Sequence, residues 1–434
     1  MTRPAGVLCA VRGSAERSLV RALDEDRRLE VTRRCADVAE LLAAAAAGLG
    51  QVAVVSAGVP GLDRTAIESL HASGVWVVAV TDVPAGWSAD RVRLLGVDAA
   101  VPAEGPTEAA QAVVSAVHQL LADGAQGERP GDSRGPVGHP GEPPTAPDPG
   151  SPGTAAVVEG ALVTVWGPTG APGRTTVALT LAAELAERAP ADSSGGALLI
   201  DADTYGGTVA QLVGLLDEAP GIAAAARAAG TGRLDPPSLA ALTPVLDGGL
   251  RVLTGISRAD RWLEIPAASL EIVFRTARLL AAWTVVDCGF CLESDEALSF
   301  DTRAPRRNAA TLCALAEADV VVVVGGGDPI GLQRLVRSLA DLDDLAVTKQ
   351  RVVVVNRVRA SASGHRPREA IRDALRRYAG VAEVHFVPDD PGACDGAVLM
   401  AKTLVEHAPT SPARRALTAL AGQVLSLAAA ATAH

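Results

Sequence analysis

The residues best suited to chemistry in this sequence follow a short apolar strand predicted at residues 162–166. The next loop is built from Gly, Pro and Thr, and it ends at Gly173, directly before an Ala- and Leu-rich helix. Small residues let backbone N–H groups surround an anion, and the first turn of a helix adds partial positive charge. This order of strand, loop and helix therefore predicts a phosphate-binding loop. Its candidate binding residues are Thr169, Gly170, Ala171, Pro172, Gly173, Arg174, Thr175 and Thr176.

The loop departs from the usual phosphate-binding pattern G-x-x-x-x-G-K-[ST]. Pro168 replaces the first glycine and Arg174 replaces the lysine, whereas Thr175 keeps the hydroxyl that reaches Mg²⁺. Arg174 keeps the positive charge, but its planar group is larger than an ammonium. Pro172 also removes one backbone donor. The alternative interpretation is an ordinary Gly/Pro turn between a strand and a helix.

Three aspartates end predicted strands that come after the loop. Asp201 and Asp203 follow the strand at 197–200, and Asp287 follows the strand at 284–286. Carboxylates in this order after a phosphate loop can hold Mg²⁺ or position a water molecule. We therefore predict Thr175, Asp201 and Asp287 as metal-binding residues, and Arg174 and Asp203 as catalytic residues. The alternative is structural, because aspartate commonly ends strands and caps helices.

The region from Glu159 onward alternates strands with helical stretches, which predicts an α/β fold. Its strands are Val-rich runs without polar alternation, as in a mostly parallel, doubly wound sheet that is covered on both faces. Ligands bind such sheets at the carboxyl ends of the strands, where the polar residues of this region lie. The strands are predicted at 162–166, 197–200, 251–253, 284–286, 320–324, 352–355 and 384–387.

A second α/β unit is predicted before this region. Residues 6–122 contain five strand–helix units, typical of a small doubly wound parallel sheet. Residues 123–158 are dominated by Pro and Gly, which predicts a disordered linker. We therefore expect three parts, at 1–122, 123–158 and 159–434. The first has strands at 6–11, 29–32, 51–56, 75–81 and 99–102, and helices at 15–23, 38–47, 64–71, 89–95 and 107–121.

Composition excludes several classes of protein. The net charge of −11 argues against general affinity for nucleic acid, which needs a basic surface. No apolar run reaches 18 residues, so no transmembrane helix is predicted, and Arg12 interrupts the apolar start too early for a signal peptide. The six scattered cysteines fit a reducing cytoplasm. Cys288 and Cys291 form a C-x-x-C, which we interpret as two small residues after a strand, with a redox or metal pair as the alternative.

Taken together, the motifs of residues 159–434 resemble the ParA/MinD family of P-loop ATPases, the deviant Walker A class. The resemblance includes the phosphate loop, LLIDADTYGG at 198–207, VVDCG at 285–289, VVVNRV at 353–358 and FVPDD at 386–390. It implies ATP and Mg²⁺ as cofactors and a homodimer as the assembly. It also places Asn356, Pro388 and Asp389 beside the adenine.

The N-terminal unit resembles a response-regulator receiver without its chemistry. Ser56 occupies the phosphoacceptor position, and no acidic pair follows the first strand. A receiver-like domain, a linker and a MinD-like domain together resemble the CpaE/TadZ branch and its actinobacterial septum-site-determining relatives. This resemblance implies a regulator that places pilus or secretion machinery, or influences the septum site, through a protein partner. Such a protein is expected in the cytoplasm, recruited to the pole, septum or membrane by its partners.

Two departures from that family bear on activity. The family's signature lysine would fall at Thr169, which has no charge, and Arg174 replaces the loop lysine. We therefore expect ATP binding with weak or absent hydrolysis. The alternatives are an active cycling ATPase of the MinD type, which needs measurable turnover, and a ParA-like DNA-partition ATPase. Thr169 and the acidic balance count against the DNA-partition ATPase. No arginine finger is assigned; the arginines in suitable loops are Arg258, Arg261, Arg303, Arg306 and Arg307.

The C-terminal helix is expected to pack against the sheet rather than bind a membrane. Leu417, Leu420, Val424 and Leu427 form one apolar stripe, as in an ordinary amphipathic helix. A membrane-binding helix would carry basic residues opposite bulky apolar ones, but alanine dominates after Arg415.

Overall fold

The computed structural model describes most of the chain, in two compact units that divide near residue 156. The described residues are 4–11, 15–81, 89–102, 106–127, 129–131, 159–170, 172–189, 196–215, 221–293, 306–345, 347 and 349–432. Most of the predicted linker, residues 132–158, lies outside these ranges. Its assignment as a linker therefore stays a prediction.

The N-terminal unit is a five-stranded parallel sheet with the order β2-β1-β3-β4-β5. Its strands are β1 Ala5–Ala10, β2 Leu29–Arg34, β3 Val52–Ser56, β4 Trp76–Thr81 and β5 Ala99–Pro102. Its helices are α1 Ala15–Glu25, α2 Val38–Ala46, α3 Arg64–Ala72, α4 Ala89–Leu94 and α5 Pro106–Ala125. The predicted strand–helix alternation is confirmed, and α5 extends beyond the predicted domain boundary at residue 122.

The sheet of this unit is covered on both faces by apolar side chains. One cluster centres on Leu8, Ala53 and Ile67, and the other on Val7, Val54 and Val113. The strand order is shared by many doubly wound domains, including flavodoxins, so it does not distinguish a receiver from its topological relatives. Ser56 ends β3, and the receiver-like assignment stays a prediction.

The C-terminal unit is a seven-stranded sheet with the order β12-β11-β10-β6-β9-β7-β8, and each neighbouring pair of strands is parallel. Its strands are β6 Ala161–Trp166, β7 Ala197–Ala202, β8 Leu250–Leu253, β9 Trp283–Cys288, β10 Val320–Gly326, β11 Gln350–Val358 and β12 His385–Pro388. The predicted α/β class with a parallel sheet is confirmed for both units.

The helices of the C-terminal unit follow the strands, as in a doubly wound fold. They are α6 Arg174–Arg188, α7 Val209–Leu212, α8 Gly221–Gly230, α9 Pro236–Ala241, α10 Ala267–Leu280, α11 Ala309–Glu317, α12 Pro329–Asp344, α13 Ala360–Ser363, α14 Pro367–Ala379, α15 Pro391–Leu399, α16 Leu404–His407 and α17 Pro412–Thr432, with a 3₁₀ helix at Ala259–Glu264. The central strands are almost wholly buried, as their Val-rich composition predicts.

The C-terminal helix α17 packs into the core as expected. Leu417, Leu420 and Val424 are fully or almost fully buried, and Leu427 packs against the same cluster. The helix contacts α6 and β12. Among the described residues, no helix is both long and apolar enough to cross a membrane.

Several strands are longer than predicted at their carboxyl ends. Asp201 lies inside β7, Asp287 inside β9 and Asn356 inside β11, rather than in the turns that follow. A polar side chain interrupts each apolar run at these positions, but ladder pairing continues through it. The polar residues therefore lie on the sheet itself, where their positions are fixed by strand register.

Candidate functional site

The predicted phosphate loop joins the central strand β6 to α6 at the carboxyl edge of the sheet. β6 lies between β10 and β9, so its loop is flanked by the ends of both strands. Gly173 caps α6 with φ 79°, a left-handed conformation that favours glycine. The first N–H groups of α6 have no acceptor within the helix, as an anion site requires. Ala171 lies outside the described residues.

Arg174 is held by protein groups on the inner side of the loop. Its Nη1 donates to the carbonyl oxygen of Gly167 at 2.7 Å, and its Nη2 lies 3.6 Å from Oδ2 of Asp203. The arginine side chain is only 14% exposed and that of Asp203 10%. The two predicted catalytic residues thus pair with each other. A phosphate that recruited Arg174 would have to compete with these contacts.

Asp287 is the most unusual group of the site. It is 1% exposed, and within the described part of the chain neither of its carboxylate oxygens has a hydrogen-bond donor. Burial raises the pKa of Asp287 to about 8, and the nearby Asp201 charge acts in the same direction. The Thr175 hydroxyl and Arg174 lower this pKa, so both lie close enough to favour the charged form. A buried acceptor without a donor is costly unless a cation or a ligand satisfies it.

Asp201 lies directly beside Asp287, because the two residues are register partners on β7 and β9. Its oxygens accept hydrogen bonds from Asp203 N at 3.2 Å and Val209 N at 3.1 Å. Burial raises the pKa of Asp201 to about 7, and the backbone donors lower it. These bonds hold the turn after β7, and the predicted metal-binding role of Asp201 stays a prediction.

Asp203 shapes the same turn and faces the loop. Its Oδ1 accepts from Tyr205 N at 2.8 Å and Gly206 N at 3.3 Å, while Oδ2 faces Arg174. Sequence reasoning did not single out Tyr205, whose ring lies 4.0 Å from the Arg307 guanidinium carbon and whose hydroxyl donates to Asn308 at 2.7 Å. Among the arginine-finger candidates that the structure describes, Arg307 is therefore the one that reaches the turn after β7.

The other arginine candidates are engaged elsewhere or not described. Arg258 pairs with Asp260, and Arg261 pairs with Glu264. Arg306 is exposed, and Arg303 lies outside the described residues. Of the C-x-x-C pair, Cys288 is fully buried in β9, and burial raises the pKa of its thiol. The described residues contain no cluster of metal-ligating side chains at either cysteine.

Asn356 directly braces the loop. Its Nδ2 donates to the Pro172 carbonyl at 2.8 Å, and a Cβ added at Gly173 would lie 2.6 Å from the same nitrogen. Pro388 ends β12 next to β11, and Asp389 N donates to Val358 O at 3.2 Å. The structure therefore brings Asn356 to the loop and leaves Pro388 and Asp389 on the outer strand. Their proposed contact with adenine stays a prediction.

We expect Asn356→Asp to weaken ATP binding by at least about fivefold, because a hydrogen bond of roughly 1 kcal/mol is lost and a negative charge is added beside the phosphate loop. Aspartate keeps the size of the side chain but cannot donate to the Pro172 carbonyl. Fluorescence titration with a labelled ATP analogue measures the change. Gln333→Glu makes the same amide-to-carboxylate change at an exposed position on α12. It is the matched control and should bind ATP normally. Equal affinity of Asn356→Asp and the unmodified chain would show that the brace does not shape the loop.

The similarity of this chain to other proteins is found in the comparison of structures. No protein-family model matches it, and no curated protein matches it. A ParA family ATPase from Chlorobium tepidum TLS superposes with a TM-score of 0.50 at 15% identity, covering 61% of this chain and 98% of its own. The cell division ATPase MinD of Pyrococcus furiosus gives 0.47 at 18%, covering 62% and 99%. The septum site-determining protein MinD of Pyrococcus horikoshii OT3, complexed with Mg-ADP, gives 0.47 at 17%, covering 62% and 98%. The similarity to the ParA family ATPase from Chlorobium tepidum TLS shows an α/β fold of the P-loop NTPase type.

Proposed function

We propose that this protein is an ATP-binding spatial regulator of the ParA/MinD type, with weak or absent ATP hydrolysis. The fold supports a nucleotide site at the carboxyl edge of the seven-stranded sheet. The phosphate loop, the Thr175 hydroxyl and the acidic ends of β7 and β9 meet at that edge. ATP and Mg²⁺ are the cofactors that this set of groups fits best.

The observation that carries the proposal is the unsatisfied carboxylate of Asp287. Mg²⁺ in nucleotide sites is bound by one or two protein oxygens together with phosphate oxygens and waters, rather than by a cage of carboxylates. Thr175 and Asp287 would hold Mg²⁺, directly or through water, and the bound ion would neutralise charge on the phosphates. The first turn of α6 and the loop N–H groups would bind the phosphates.

The contacts of Arg174 and Asp203 support the proposal of weak hydrolysis. Phosphoryl transfer depends on positioned charge at the terminal phosphate and on an oriented water. Arg174 donates to Gly167 O, and Asp203 already accepts two backbone N–H groups. Arg174 is engaged by the phosphate loop and Asp203 by the turn after β7, which leaves less of their charge for the reaction.

The finer assignment rests on the sequence resemblance described above. We propose that the chain positions pilus or secretion machinery or influences the septum site, as a nucleotide-biased homodimer. The N-terminal unit would bind a protein partner, which would recruit the chain to a pole, the septum or the membrane. The boundaries 1–122, 123–158 and 159–434 are part of this proposal.

Phosphate release from purified protein with Mg²⁺ and ATP tests the proposal. We expect turnover at least about tenfold below the median enzyme rate of roughly 10 per second, in a preparation that binds ATP. Arg174→Lys restores the compact charge of the usual loop and should raise turnover, whereas Asp203→Ala should not. Fast turnover that depends on Asp203 would instead make the chain a cycling ATPase. Absence of ATP binding would exclude both functions.

A further inference from the structure

Arg334 places a second guanidinium at the phosphate loop, beside Thr169 and Gly170. Arg334 lies on α12, 165 positions from the loop in sequence, and its Nη1 lies 3.3 Å from the Thr169 carbonyl oxygen as a donor. A Cβ added at Gly170, which has φ 67°, would collide with the same nitrogen. The guanidinium therefore covers the exposed outer part of the loop.

Arg334 can offer its positive charge to a bound phosphate, whereas Arg174 already faces the carboxylate of Asp203. Arg334 is exposed, and among the described residues no carboxylate forms a salt bridge with it. Its one hydrogen bond in this part of the chain is to a neutral carbonyl. A hydrogen bond to an ionised phosphate is about twice as strong as one to a neutral acceptor, so an incoming phosphate would displace the carbonyl.

The position of Arg334 is fixed by the helix that carries it. Asp328 caps α12 by accepting from the N–H groups of Ile330 and Gly331 at 3.1 and 3.0 Å. Leu335, the next residue after Arg334, is fully buried, and α12 packs on β10 beside the loop. Because the backbone of α12 is anchored, only the side chain of Arg334 needs to move to reach a phosphate.

We propose that Arg334 binds the terminal phosphate of a nucleoside triphosphate in the loop and makes the site prefer a triphosphate over a diphosphate. This inference rests on the proposed nucleotide site and adds a specificity-determining residue to it. The inner phosphates would be bound by the loop N–H groups and the first turn of α6, which a diphosphate also reaches. The outer position beside Thr169 and Gly170 would be reached only by the third phosphate.

The test compares ATP and ADP affinities, with Mg²⁺, for the full chain and for Arg334→Ala, Arg334→Lys and Arg337→Ala. Arg334→Ala should weaken ATP binding by about tenfold or more, because a charged hydrogen bond is lost, and change ADP binding less than about twofold. Arg334→Lys should recover part of the ATP affinity. Arg337 is an exposed arginine one turn further along α12, and its replacement should leave both affinities unchanged.

Four results would overturn the inference. Equal weakening of ATP and ADP in Arg334→Ala would mean that Arg334 only supports the shape of the loop. Unchanged ATP affinity would mean that the side chain does not meet the third phosphate. If the unmodified chain bound neither nucleotide, the proposed function would fail and the inference with it, whereas ADP binding without ATP preference would reject the inference alone. Thermal unfolding of each variant shows that the fold is retained.

Discussion

Replacing Asp287 with asparagine is expected to stabilise the ligand-free protein at pH 7, because asparagine has no carboxyl group that the folded chain must keep protonated. The substitution keeps the size of the side chain and removes a carboxyl group that burial prevents from ionising freely. Most substitutions destabilise a fold, so a gain in stability at a buried strand position would be diagnostic. Urea denaturation followed by circular dichroism measures the change.

The gain in stability should depend on pH in a defined direction. The pKa of Asp287 is raised to about 8 in the folded chain, against about 3.9 in an unfolded chain. The unfolded state therefore releases its proton first, and the folded state loses stability as pH rises from about 4 to about 8. Asp287→Asn removes this loss. The two proteins should be similarly stable near pH 4 and differ most near pH 8.

The same substitution should remove the effect of Mg²⁺ on ATP binding. An amide cannot provide the charge that holds the ion, so ATP affinity with Mg²⁺ should fall by about tenfold or more. Asp319→Asn is the matched control. Asp319 directly precedes β10, so it lies at the amino ends of the strands, opposite the candidate site. Its carboxylate already accepts from Leu162 N at 2.8 Å and from Arg278 at 2.6 Å, so this change should cost about 1 kcal/mol and leave ATP affinity unchanged. Loss of stability in Asp287→Asn would mean that an internal donor satisfies the carboxylate.

Replacing Arg174 with methionine is expected to act in the opposite direction, lowering the free energy of unfolding by about 2 kcal/mol. Arg174 is the cation that faces Asp203 and lowers the pKa of Asp287, in a site with three acidic side chains. Removing one partner of a mostly buried pair leaves the other uncompensated, and the 3.6 Å separation puts the expected cost below that of a tight pair. ATP affinity should fall by at least about tenfold as well, because the positive charge beside the loop is lost.

Arg174→Lys separates charge from shape in that experiment. Lysine keeps the charge but lacks the fork that reaches Gly167 O and Asp203 together. It should recover most of the ATP affinity and only part of the stability. Thermal unfolding and ATP titration of both variants provide the comparison. Equal stability of Arg174→Met and the unmodified chain would show that Asp203 needs no counter-ion in the folded chain.

The arrangement of strands and helices could be predicted closely from sequence. Val-rich runs such as 320–324 bury both faces of a strand, and polar residues interrupt these runs near the sheet edge. Such local patterns located all twelve strands of the described sheets to within a few residues. They failed at the carboxyl ends, because Asp201 and Asp287 continue the ladder although their side chains suggest a turn.

The contacts that give the site its chemistry could not be predicted in the same way. The hydrogen bonds from Asn356 to Pro172 and from Arg334 to Thr169 join residues that are 184 and 165 positions apart. Arginine is so frequent in this chain that no local signal marks Arg334. The pairing of Arg174 with Gly167 O depends on a side-chain conformation that composition and spacing do not fix.

We propose that the loop at Gly173 binds ATP together with Mg²⁺ through Asp287. The decisive measurement is calorimetric titration of ATP into the full chain, in Mg²⁺ and then in EDTA. We expect saturable binding at one site per chain that weakens by about tenfold or more without the metal, and no such dependence on Mg²⁺ in Asp287→Asn. Absence of saturable binding, or binding that is equally tight in Mg²⁺ and EDTA, would contradict it.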